Sequence, residues 1–111
     1  MKNHYLYNGR VIRISEHDYS YACVRDSLAE NKEVYVVSCN KNKELAEAAK
    51  RREAKEINEV INNYKKELEA RANGKTKIWW LKDVTIEQIK SEIEHFEDCL
   101  NSLKVVEIQK M

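Results

Sequence analysis

The spacing of apolar positions changes near residue 40. Before it, apolar residues come in short runs: Tyr5-Leu6-Tyr7, Val11-Ile12-Arg13-Ile14, Tyr19-Ser20-Tyr21-Ala22-Cys23-Val24 and Glu33-Val34-Tyr35-Val36-Val37-Ser38-Cys39. Aromatic and β-branched residues suit a pleated, half-buried surface, so each run reads as a strand. After it, Ile57, Val60, Ile61, Tyr64 and Leu68 recur every three or four residues, the period of one helical face. Ile86, Ile89, Ile93, Phe96, Leu100 and Leu103 alternate steps of three and four, which is the seam spacing of a coiled coil.

The turns between these segments are written in the two glycines, each preceded by asparagine. Asn8-Gly9 between two strand-like runs predicts a hairpin with a type I′ turn, because both central positions need positive φ. Asn73-Gly74 follows a long run of good helix formers from Lys41 to Ala72 and predicts a helix stop. Thr85-Ile86-Glu87-Gln88 matches a capping box and predicts the start of a second helix. The polar stretch from Asp26 to Lys32 has the length of a hairpin loop. A competing helix capped by Asp18, with Tyr21, Val24 and Leu28 on one face, has less support from composition and length.

These segments predict an α+β protein: an N-terminal four-stranded antiparallel sheet followed by two long antiparallel α-helices. It forms a single domain over 1–111, with a β-meander over 1–40 and a helical hairpin over 41–111 that contains a short extended segment at 75–82. Paired charges such as Glu67 and Arg71 are expected on a solvated helical face, where each i,i+4 pair contributes about 0.2–0.5 kcal/mol. The tail Val105-Val106-Glu107-Ile108 fits either an edge strand or a frayed helix end. One helix cannot bury the second seam, so it must pack on the first stripe, on the sheet or on another copy. A helix of about thirty residues spans about 45 Å, wider than four strands about 4.8 Å apart. The overhang predicts a homodimer or higher homo-oligomer.

Composition narrows the function classes. With 111 residues and a net charge of +1, the chain has the size of one domain and no global attraction to nucleic acid or anionic lipid. No apolar run is long enough to span a bilayer and no signal peptide is evident, so the expected location is cytoplasmic, with no membrane partner. Cys23, Cys39 and Cys99 lack ligand spacing and are expected as buried reduced thiols. His4, His17 and His95 are scattered, so no metal site and no cofactor is expected. No phosphate-cradling loop, His-Glu-x-x-His or nucleophile elbow is present, and the protein is read as a non-enzyme without catalytic residues.

Binding candidates remain. Lys50-Arg51-Arg52 with Lys55 is the densest basic cluster, but Glu47, Glu53 and Glu56 interrupt it, which favours a solvated face over a nucleic-acid footprint. Arg10, Arg13 and Arg25 lie on predicted strands beside tyrosines such as Tyr7 and Tyr21, and guanidinium plus an aromatic face can hold a phosphate and stack a base. Trp79 and Trp80 point to opposite sides of an extended segment, so one is expected in the core and the other at an interface or ligand wall.

A strand, Asn8-Gly9, Arg13-x-Ser15, Tyr19-x-x-Ala22-Cys23-Val24, a strand ending Ser38-Cys39, and Glu44-Leu45-Ala46 opening a helix together resemble a pattern of small phage and prophage proteins. The small antiparallel sheet followed by two long helices is similar to phage anti-Thoeris sponge proteins, which sequester a cyclic ADP-ribose immune signal without degrading it. The resemblance implies a phage-encoded protein in the host cytoplasm that binds a cyclic ADP-ribose-type or cyclic nucleotide signal and inhibits antiviral defence. That chemistry needs cations for pyrophosphate, from Arg10, Arg13 or Arg25, and an aromatic face for adenine, from Tyr7, Tyr21 or Trp80, with an oligomer interface closing the pocket. Two other classes are a protein-binding inhibitor of a defence system that uses the long helices, and a nucleic-acid-binding accessory protein that uses Lys50 to Lys55.

Overall fold

The computed structural model describes residues 2–26, 34–76, 78 and 81–111. Asn8 and Gly9 adopt φ of 52° and 76°, so the predicted tight turn joins β1 (Asn3–Tyr7) to β2 (Arg10–Ser15). β3 (Tyr21–Arg25) and β4 (Tyr35–Asn40) precede α1 (Lys43–Ala72). α2 (Ile86–Asn101) is followed by β5 (Leu103–Glu107) and β6 (Gln109–Lys110). The chain forms two compact units, one of Met1–Ala54 with Ser102–Met111, the other of Lys55–Asn101.

The class is α+β, but the four N-terminal strands do not share one sheet. The first unit holds two three-stranded antiparallel sheets, ordered β2-β1-β6 and β4-β3-β5. The third strand of each comes from the C-terminal tail, which settles that segment as strand. β2 and β3 are not joined by a hairpin because the link between them is held differently. The buried Tyr5 hydroxyl donates to the His17 carbonyl at 2.5 Å and accepts the Tyr19 amide at 3.1 Å, so one side chain secures the crossing.

β3 is the centre of this unit. Ala22 and Val24 pack with Tyr5 and Ile108 between the two sheets. Cys23, on the opposite face of the strand, packs with Ala49 of α1 and Leu103 of β5. All three are fully buried, which accounts for three small or branched apolar residues in a row. Ile108 lies where the tail passes from one sheet to the other, and its amide donates to the Ser20 carbonyl at 3.1 Å. The two pairs β1–β2 and β3–β4 each carry a register shift, leaving Ile12 and Val37 as the extra residues.

Helix ends follow local chemistry. Asn42 accepts the Leu45 amide at 2.9 Å and caps α1. At the other end, Gly74 has φ of 73°, its amide donates to Arg71, and the Lys75 amide donates to Ala70, the two bonds of a Schellman stop. Thr85 and Gln88 exchange side-chain-to-backbone bonds of 2.9 and 3.1 Å, completing the capping box.

In the second unit, Ile57 and Ile61 of α1 form a core with Ile89, Ile93 and Cys99 of α2, flanked by Tyr64, Leu68, Phe96 and Leu100. The seam therefore finds its partner in the same chain, and it no longer argues for a second copy. Its outer members depart from the seam: Ile86 is exposed, and Leu103 belongs to β5.

Glu67 overturns the expectation of a solvated pair. It is fully buried and accepts Nε of Arg71 at 3.0 Å and the Ile78 amide at 2.7 Å, while Arg71 also donates to the carbonyls of Leu81 and Val84. This network ties the end of α1 to the segment before α2. Cys23 and Cys99 are buried free thiols, whereas Cys39 is only half-buried.

Two outcomes are expected. Ile108→Ala should destabilise the protein by about 2–5 kcal/mol through lost packing and a residual cavity, measured by urea unfolding with far-UV circular dichroism. Glu67→Ala should cost about 3–5 kcal/mol because it strands a buried guanidinium and an amide. For either variant, an unchanged unfolding midpoint would contradict the assigned burial.

Candidate functional site

The extra residue in β2 decides which way its arginines face. Residues opposite each other in an antiparallel pair share a face. Tyr5, which points into the core, is opposite Arg13, and Tyr7 is opposite Arg10. Ile12 also packs toward that core. The inner face of the first sheet thus carries Arg10, Ile12 and Arg13 along its edge, while Val11 and Ile14 lie on the outer face, 49% and 52% exposed.

The first sheet ends in β2 and the second in β4, and between these edge strands lies a cleft of about 230 Å³. Arg10, Val11, Ile12, Val34 and Val36 line it. Among the described residues, neither the Arg10 nor the Arg13 side chain makes a hydrogen bond or ion pair. The cleft thus combines an apolar wall with an arginine that has no internal counter-charge. Such a site suits a ligand with one flat or apolar part and one anionic part. Its volume is below the roughly 300–1,000 Å³ of sites that enclose a drug-sized molecule, so it matches a base- or sugar-sized group.

The other sequence-predicted binding residues are not gathered there. Arg25 forms an ion pair with Glu53 of α1, and its guanidinium lies 4.6 Å over the Tyr35 ring. Its partner is 28 residues away in sequence, so no local pattern marked it. Tyr7 donates its hydroxyl to Asp26 at 2.8 Å, and Lys104 meets the same carboxylate at 3.1 Å. Tyr21 donates to Glu107 at 3.4 Å. Trp80, with Trp79, lies outside the described residues. Sequence reasoning missed Val34 and Val36 as site residues, since their valine run carries a strand signal and no binding signal.

Arg51 shares a shallow surface depression with Lys43, Glu44 and Glu47. Alternating sign there agrees with a solvated face. Among the described residues, no cluster of three or more His, Cys, Asp and Glu is positioned to hold a metal ion. No helix among them is long and apolar enough to cross a membrane. Burial pushes the Cys23 thiol above its ordinary pKa, with Glu53 adding to the effect, which disfavours a reactive thiolate. Comparison with protein-family models, with curated proteins and with solved structures finds no match to this chain.

The Tyr7–Asp26–Lys104 cluster joins β1, the end of β3 and β5. The Tyr7 hydroxyl is the main influence holding the Asp26 carboxyl below its ordinary 3.8, with Lys104 reinforcing it against desolvation. Tyr7 and then Asp26 raise the Lys104 ammonium above its ordinary 10.5. A depressed acid stabilises the fold above its unfolded pKa and stops doing so as pH falls through the folded value; a raised base does the reverse. Asp26→Asn should therefore flatten the loss of stability below pH 3.8, and Lys104→Met the loss above pH 10.5. Urea unfolding across pH measures both limbs, and limbs unchanged by the substitutions would remove the cluster's role.

Proposed function

We propose that the protein is a non-enzymatic, phage-type binding protein that captures a small phosphate-bearing signal of the cyclic ADP-ribose or cyclic nucleotide class. By holding the signal in the host cytoplasm it keeps the molecule from a defence effector. The observation that carries this reading is Arg10 at an apolar cleft, with no ion-pair partner among the described residues and with Arg13 on the same face. The ligand class is the one that the N-terminal pattern's resemblance to phage anti-Thoeris sponge proteins implies; the layout lends it no further support, because the strands form two sheets completed by the tail.

In this reading Arg10 and Arg13 contact phosphate, and Ile12, Val34 and Val36 cover one face of the base or sugar. Arg25, Tyr7 and Tyr21 take no part in this contact, since their polar groups are engaged within the protein. A homo-oligomer would supply the enclosure that a cleft of about 230 Å³ lacks. A protein-binding inhibitor working through the helical stripes has less support, because those stripes bury each other.

Calorimetry with cyclic ADP-ribose isomers and cyclic di- and trinucleotides tests the reading. One ligand should bind, and it should be recovered intact after heat denaturation of the complex. Arg10→Ala should weaken binding by about tenfold to a hundredfold, the loss expected for about 1.5–3 kcal/mol of a charged hydrogen bond. Absence of heat and of thermal shift across the panel would reject capture, and a cleaved product would replace it with catalysis.

A further inference from the structure

β2 is six residues long, contains no proline or acidic residue, and lies at the edge of its sheet. Among the described residues no strand pairs with its outer side. Natural edges are guarded by proline, charge, shortness or a bulge, or they are used for pairing. β2 has two of these guards, inward arginines and a bulge, so the case for pairing rests on whether its faces can match a partner strand. The shift at Ile12 gives the edge a specific symmetry. It puts Ile12 and Arg13 on the inner face and leaves Val11 and Ile14 together on the outer face.

We infer that β2 pairs antiparallel with β2 of a second copy of this chain, in the register that sets Val11 against the partner's Ile14. In a twofold pair, residues directly opposite each other must share a face. A regular strand cannot satisfy this for positions 11 and 14, because side chains an odd number of residues apart point to opposite faces. The extra residue removes that obstacle. The same register sets Ile12 against the partner's Arg13 and Arg10 against the partner's Ser15.

This pairing complements itself in each respect. The two half-exposed apolar residues cover each other twice on the outer face, and no arginine stands opposite an arginine, an arrangement that would be repulsive. Moving the register by one position would put Val11 against the partner's Arg13, on the wrong face. The interface is isologous, as a closed dimer requires. It also changes the cleft, because the partner's Arg13 arrives beside Ile12, one of the lining residues. The partner copy thus adds a cation to the Arg10 site. This inference stands on strand geometry and is independent of the ligand proposed above.

Light scattering of the full chain at about 100 µM should give the dimer mass, since association follows concentration. I14K should shift it to monomer with an unchanged circular dichroism spectrum, the position being half exposed, and its melting temperature should no longer rise with protein concentration as the parent's does. For register, V11C/I14C should oxidise to a covalent dimer, while V11C and I14C alone should cross-link no faster than the parent. A parent monomer at that concentration, a dimer that survives in I14K, or single variants that cross-link as fast as the double would each overturn the inference.

Discussion

The first unit depends on a pairing that joins opposite ends of the chain. Without β5 and β6, each sheet would be an isolated two-stranded hairpin, which is at best marginal in water. β5 covers the second edge of β3 and lets Ala22, Cys23 and Val24 be buried on both sides. β6 does the same for β1, and Ile108 fills the space at the switch. The entropy of closing so long a loop grows only with the logarithm of its length, so the arrangement is thermodynamically accessible. Its consequence is kinetic: the central strand cannot be completed until the last residues arrive, which makes this unit slower to form than the local helical hairpin.

The second unit joins α1 to α2 through an apolar core, and beside that core it buries a charged group. Burying Glu67 carries a desolvation penalty of several kcal/mol, offset only if the carboxylate and the guanidinium are both fully used. Two acceptor bonds on Glu67 and two carbonyls on Arg71 meet that condition. An apolar pair of the same volume would supply comparable stability, but it would not fix the backbone at 78, 81 and 84. The network therefore determines how the chain leaves α1 and enters α2, and so sets which face of α2 meets Ile57 and Ile61.

Features determined within a few residues were legible in the sequence. The Asn8-Gly9 turn, the Asn73-Gly74 stop and the Thr85–Gln88 box each require special φ values or side-chain reach that only a few residue types supply. Strand existence was legible too, but strand partnership was not, because Leu103–Glu107 has the same alternation whether it pairs with β3 or frays. Glu67 and Arg71 look like any surface i,i+4 pair, since burial is decided by residues 78 to 84. The candidate site was legible only as a short set of arginines. Arg25 and Arg10 are chemically identical in sequence, and what separates them is Glu53 on α1, within reach of one and not the other. Nor does any residue type announce the extra position at Ile12 that turns Arg13 to the face of Arg10.

Magnitudes constrain how such a site could retain a signal. Covering an aromatic base of about 150 Å² at about 25 cal/mol per Å² contributes about 4 kcal/mol. One charged hydrogen bond from each of Arg10 and Arg13 adds about 3–6 kcal/mol together. The sum of about 7–10 kcal/mol straddles the roughly 8 kcal/mol of micromolar binding, before any loss of ligand freedom is subtracted. A cleft walled by one copy would therefore hold such a ligand weakly. A second β2 at the open edge would change both terms, adding apolar cover and bringing another Arg13 to the anion in a space from which water is more fully excluded. In the proposed reading capture and self-pairing would be physically coupled: the strand edge that leaves the cleft incomplete is the same edge whose symmetry can complete it.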